Sequence, residues 1–100
     1  MSINLAKSIT IDGITITPST TGRGYIVELD SEQFLFVPSM AYATQVGLPV
    51  GTYTMEDAAI VAIHISDELA DEWAIWGTFA EAESDFRETI SMNEDYLNGK

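Results

Sequence analysis

Residues 56–72 gather six carboxylates and the chain's one histidine: Glu56, Asp57, His64, Asp67, Glu68, Asp71 and Glu72. Carboxylates in pairs are the raw material of acid–base chemistry. A histidine and a glutamate at i, i+4, here His64 and Glu68, have the spacing of two metal ligands on one helix turn. Wound on a helix at about 100° per residue, with Glu56 at zero, the acids share one side. Asp67 falls near ~20°, Asp71 near ~60°, Asp57 near ~100°, Glu68 near ~120° and Glu72 near ~160°. His64 lies in their midst, near ~80°. Ala58, Ala62, Ile63, Ile65, Leu69, Ala70 and Trp73 fall mainly opposite. That is an amphipathic helix with its acids facing water. Ile60 and Val61 lie in or beside the acidic arc, as at a protein interface or beneath a neighbouring segment.

A second set repeats the pattern. Glu81, Asp85 and Glu88 share one face, with Phe79, Ala82, Phe86 and Ile90 opposite and Glu83 nearer the apolar side. Like charges at i, i+4 destabilise a helix by about 0.2–0.5 kcal/mol per pair. An ordinary surface interleaves bases among them; this one does not. The 100 residues carry sixteen acids against four Lys and Arg, a formal net charge of -12. Residues 1–55 account for -2 of it and residues 56–100 for -10. Such a balance argues against nucleic acid or an anionic membrane as partner and for a basic surface.

Catalysis finds little to work with. There is one histidine and no cysteine, which excludes disulfides, thiol catalysis and thiolate metal sites. No calcium loop, phosphate-binding loop, nucleophile elbow or H-E-x-x-H motif occurs. "TGRG" (21–24) has amides that would suit an anion, but a hairpin loop explains it equally. No catalytic residue, cofactor or metal is expected, and His64 reads as a solvated side chain or a partner contact. Tyr25, Phe34, Phe36, Tyr42 and Tyr53 would suit base stacking only beside a basic groove. Without one they are assigned to the core. Trp73 and Trp76 read as helix-packing anchors, with Trp76 at the Gly77 corner an alternative interface anchor.

The elements that must position these groups follow from the pattern. "SITIDGITIT" (8–17) alternates around Asp12-Gly13, a tight hairpin. "YIVEL" (25–29) and "QFLFV" (33–37) make a second hairpin, which Pro38 ends. Residues 39–48 are either a short helix ended by Gly47 or an irregular crossing. Thr54-x-x-Asp57, Thr78-x-x-Glu81 and Ser91-x-x-Glu94 read as capping boxes for helices over 55–73, 79–90 and 92–97, the first being the longest. The expected fold is α+β, one domain over 1–100. An antiparallel four-stranded meander (1–53 mainly β) precedes two to three helices (54–100 mainly α) packed on one sheet face, the other partly open. Ile9, Ile11, Val27, Leu35, Ile63 and Leu69 are expected to be buried. No apolar run of membrane-spanning length and no leader pattern occurs, so a cytoplasmic protein is expected.

A helix rises about 1.5 Å per residue, so i, i+4 carboxylates step by about 6 Å, comparable to phosphates along a DNA strand. A rigid acidic helix can therefore stand in for nucleic acid in a basic cleft. With its small size, acidic balance, short hairpins and the helix "TMEDAAIVAIHISDELADEW", the chain resembles small acidic phage-encoded anti-defence proteins, the anti-CRISPR DNA mimics. The resemblance is one of type and transfers no residue. It implies a non-enzymatic cytoplasmic inhibitor that binds a basic nucleic-acid-binding protein such as a CRISPR effector subunit. The expected contacts are Glu56, Asp57, His64, Asp67, Glu68, Asp71 and Glu72, joined by Glu81, Asp85 and Glu88. The competing class is an antitoxin-like or phage assembly protein that binds through an apolar patch, at Trp76 or the open sheet face.

Overall fold

A computed structural model describes residues 8–30 and 32–99, with side chains described through Glu94. Four strands, β1 (Ile9–Ile11), β2 (Ile14–Pro18), β3 (Gly24–Asp30) and β4 (Gln33–Pro38), form an antiparallel sheet in the order β1-β2-β3-β4. Three helices follow: α1 (Met40–Val46), α2 (Asp57–Glu68) and α3 (Phe79–Gly99). The α+β meander is thus the observed fold. Its first turn is the expected one. Asp12 and Gly13 both have positive φ, 53° and 82°, as the type I′ hairpin requires. Residues 39–48 resolve as a helix, capped by Ser39 and closed by Gly47 in the left-handed conformation.

Sheet register sorts the core into two sides. Ile16, Val27 and Leu35 are cross-strand partners on one face, all with no exposure. Ala58, Ala62 and Ile65 of α2 are equally buried, and α2 lies across β2, β3 and β4, so α2 covers this face. On the opposite face Ile26 pairs with Phe36. Phe36 stacks on Phe86 of α3, with ring centroids 4.3 Å apart and planes 8° from parallel. The sheet is therefore sandwiched between helices, not covered on one face as the pattern suggested. Each fully buried Ile, Leu or Phe contributes about 1.5–3 kcal/mol.

The helix boundaries differ from expectation in two places. The helix expected over 55–73 is α2, only twelve residues long. Thr54 does accept the Asp57 amide at 3.1 Å, but the helix stops at Glu68. Residues 69–72 turn instead, and Trp73 donates its Nε1–H to the Phe36 carbonyl at 2.9 Å. Local propensity would continue the helix; the tertiary contact overrides it. The helices expected over 79–90 and 92–97 are one. Ser91-x-x-Glu94 starts nothing, because no Gly or Pro interrupts the apolar stripe Ala82, Phe86, Ile90 that runs into it. At 21 residues α3, not α2, is the longest helix. Of the Thr78 box the hydroxyl half forms: the hydroxyl accepts the Glu81 amide, and the Glu81 carboxylate accepts from that hydroxyl, not from the Thr78 amide.

Burial also departs from the list. Val27 and Leu35 are buried, Ile9, Ile11 and Leu69 are half-buried, and Ile63 is exposed. The alanines at 58 and 62 let α2 press closely on the sheet along a narrow seam, and Ile63 lies beside it. Trp76 lies beside α3, sharing a hollow with Glu81, Ser84, Asp85 and Glu88, but its backbone belongs to the sheet edge. It forms an antiparallel bridge to Phe34, with hydrogen bonds of 2.8 and 2.7 Å. The Pro38 carbonyl accepts from Thr52 at 2.9 Å. Trp76, the Trp73 indole and Thr52 together occupy the outer edge of β4, which blunts it as a template for pairing.

Candidate functional site

The acids expected on one helix lie on three structures. Asp57, Asp67 and Glu68 are exposed on α2, with His64 among them. Asp57 and Glu68 are eleven residues apart, about 16 Å along the axis. Glu56 is exposed in the turn before the helix. Asp71 and Glu72 are exposed in the turn after it, so the single arc of six carboxylates is broken at Glu68. The turn carries the charge elsewhere. Glu72 lines a hollow with Phe36, Trp73 and Asp85, and Asp85 lines the next one with Trp76, Glu81 and Glu88. The structure thus converts the expected straight row into a band that bends round the β4 edge from α2 to α3.

Asp85 sits at the inner side of that band. Burial, chiefly, raises its pKa above the ordinary aspartate range; the neighbouring Trp76 N–H lowers it and Glu88 raises it further. The Trp76 Nε1 is buried without a hydrogen-bond partner of good geometry, so Asp85 receives only weak support from it. Desolvation and like charge both disfavour its charged form, and a nearby opposite charge would relieve that penalty.

The two described arginines are engaged elsewhere. Among the described residues the ion pairs are Arg23 with Glu94, at 2.6 Å, and Arg87 with Glu83, at 3.6 Å. Both lie at the Ser19–Gly24 loop. Glu83, only 8% exposed, accepts the Thr20 amide at 3.1 Å and the Thr20 hydroxyl, and Arg87 donates to that hydroxyl at 2.6 Å. The "TGRG" amides are not an anion cradle: Thr21 N–H goes to the Ser19 hydroxyl, Gly22 N–H to the Ser19 carbonyl and Arg23 N–H to the Thr21 hydroxyl. The buried role of Glu83 was legible in its place on the apolar side of the helix. Its partner Thr20, 63 residues earlier, was not.

No group of three or more potential metal ligands occurs among the described residues; His64 and Glu68 remain a pair on an open helix face. No helix is long and apolar enough to cross a membrane among the residues described. Sequence reasoning missed one surface. Tyr53, assigned to the core, is 80% exposed. It shares a hollow with Asp57, Ile60 and Val61, and Ile60 is itself 69% exposed. The turn chemistry of "PVGTY" was the available signal that Tyr53 lies outside the sheet. Comparison with known proteins adds no relative: no protein-family model, curated protein or solved structure matches the chain.

Proposed function

We propose that the protein is a non-enzymatic inhibitor. Its acidic band occupies the nucleic-acid site of a basic protein, in the manner of phage anti-defence proteins that act on CRISPR effectors. One observation carries the reading. Asp57, Asp67, Glu68, Asp71 and Glu72 are exposed, and none has an ion-pair partner among the described residues, while both described arginines serve Glu83 and Glu94. Charges held together without a counter-ion cost the free protein stability. They are compensated when a basic cleft supplies the missing cations. The bend round the β4 edge suits a cleft that wraps its ligand better than a flat surface. Electrostatic attraction would also speed encounter with such a partner.

The test is competition. A basic partner, captured from bacterial lysate at low salt and identified by mass spectrometry, is titrated with duplex DNA or guide RNA in the presence of the protein. The reading expects mutually exclusive binding that weakens steeply as salt rises. Simultaneous binding of protein and nucleic acid would contradict it.

A further inference from the structure

The acidic band supplies charge but no anchor, and the anchor lies at its α2 end. Tyr53 and Ile60 are large apolar side chains left in water, 80% and 69% exposed. They line a hollow of about 180 Å³ together with Gly51, Thr52 and Val61. Ile63, 45% exposed, lies one helix turn further along α2 and extends the apolar streak. Asp57 lines the same hollow, Glu56 precedes it in the chain, and His64 and Asp67 lie further along the helix.

The hollow stands on fixed backbone. Thr52 donates its amide to the Pro38 carbonyl at 2.9 Å, accepts from the Met40 amide at 2.8 Å, and its hydroxyl holds the Thr54 carbonyl at 2.7 Å. Gly51 is pressed so closely on α1 that a Cβ there would come within 2.8 Å of the Met40 Cα and 2.9 Å of the Ala43 Cβ. Tyr53 is thus presented on a segment whose ordering has already been met in folding, which favours binding through it. A rigid aromatic with an aliphatic neighbour, rimmed by polar groups, is the composition of an interface hot spot.

Charge decides the occupant. A second copy meeting this patch through a two-fold axis would set Glu56 and Asp57 against the same residues of its mate, on a chain of net charge -12. We infer that the Tyr53–Ile60 hollow docks a cationic amphipathic segment of a protein partner, whose large apolar side chain enters the hollow while flanking lysines or arginines meet Asp57, Glu56 and Asp67. The inference rests on the acidic-surface reading and adds the site where a partner is gripped.

The experiment is an NMR titration of the ¹⁵N-labelled protein with three synthetic helical peptides: leucine–lysine, serine–lysine of equal charge, and leucine–glutamine. The leucine–lysine peptide is expected to bind tightest and to shift Tyr53, Ile60 and Val61. The serine–lysine peptide is expected to bind roughly tenfold weaker and the neutral one weakly. Tyr53→Ala and Ile60→Ser each weaken the leucine–lysine peptide by roughly tenfold and leave the serine–lysine peptide unchanged. Both positions are exposed, so unaltered melting verifies the fold. If these two variants bind all peptides as the parent does, while Asp57→Lys/Asp67→Lys abolishes binding, the hollow proposal is overturned and the charge reading stands. If the reversal also leaves binding unchanged, the charge reading falls and takes this proposal with it. Concentration-dependent dimers, detected by sedimentation and lost in Ile60→Ser, would likewise overturn the proposal in favour of a second copy.

Discussion

Glu83 and Glu94 on α3 each meet an arginine, whereas Asp57, Asp67 and Glu68 on α2 meet none among the described residues. The two helices also differ in what they leave in water. The sheet side of α3 buries Ala82, Phe86 and Ile90, and aromatic rings from β4 and α1 gather round Phe86. The outer side of α2 exposes Ile60 and Ile63. Where a carboxylate helps hold the fold, the chain supplies partners for it: Thr20, Arg87 and Arg23. The exposed carboxylates of α2 have no such partners among the described residues, and of them only Asp57, in the first turn, adds a helix-end interaction. That division separates structural acids from acids available to a partner.

The largest test of the division lies in the α3 core. Phe86→Ala removes the ring stacked on Phe36 and should cost about 3–5 kcal/mol by denaturant unfolding, whereas Ile60→Ser on α2 should stay within about 0.5 kcal/mol. Equal losses would mean that the outer face of α2 is structural. Glu83→Ala comes next. It strands the Thr20 amide and Arg87, so a loss of about 1–3 kcal/mol is expected, against under about 1 kcal/mol for exposed Arg23→Ala. A neutral Glu83→Ala would erase the contrast between paired and unpaired acids.

Asp85 tests the band itself. Burial keeps it protonated to higher pH in the native state than in the unfolded chain. The native state therefore binds more protons between the two titrations, and this group makes stability fall as pH rises through that window. Above the window the charged form burdens the fold. Asp85→Asn should accordingly raise the melting temperature at neutral pH, and the gain should vanish below the ordinary aspartate range. A gain independent of pH would show that desolvated charge is not the cause. The smallest effect is His64→Ala, expected to change stability by under about 1 kcal/mol, with chelator leaving the thermal unfolding curve unmoved. A larger loss would give His64 a structural role.

Local signals were readable where local physics decides. The Asp12-Gly13 turn, the alternating strands, Pro38 as strand end and the Thr78 hydroxyl cap are each written in a few neighbouring residues. Reading failed where distant contacts decide. Nothing near residue 69 says that the chain must turn so that Trp73 can reach the Phe36 carbonyl, so local pattern alone carries α2 past its end. Ser91-x-x-Glu94 has the form of a cap, but nothing before it stops the helix. Which acids would be exposed was legible from helical period for Asp57, Asp67 and Glu68. The meeting of Glu72 with Asp85, and of Tyr53 with Ile60, depends on tertiary folding and has no local signature.

The claim that the α2 acids serve binding rather than folding is tested most directly by Asp57→Lys/Asp67→Lys. Thermal unfolding and titration against the captured basic partner are measured on the same samples. The account predicts a folded variant within about 1 kcal/mol of the parent's stability, since Asp67 is exposed and Asp57, exposed in the first turn of α2, gives up only a helix-end interaction of about 0.3–1 kcal/mol. It predicts binding weaker by about 2–5 kcal/mol, the cost of leaving a partner's buried cation unpaired. Parent-like affinity in the well-folded variant would contradict it.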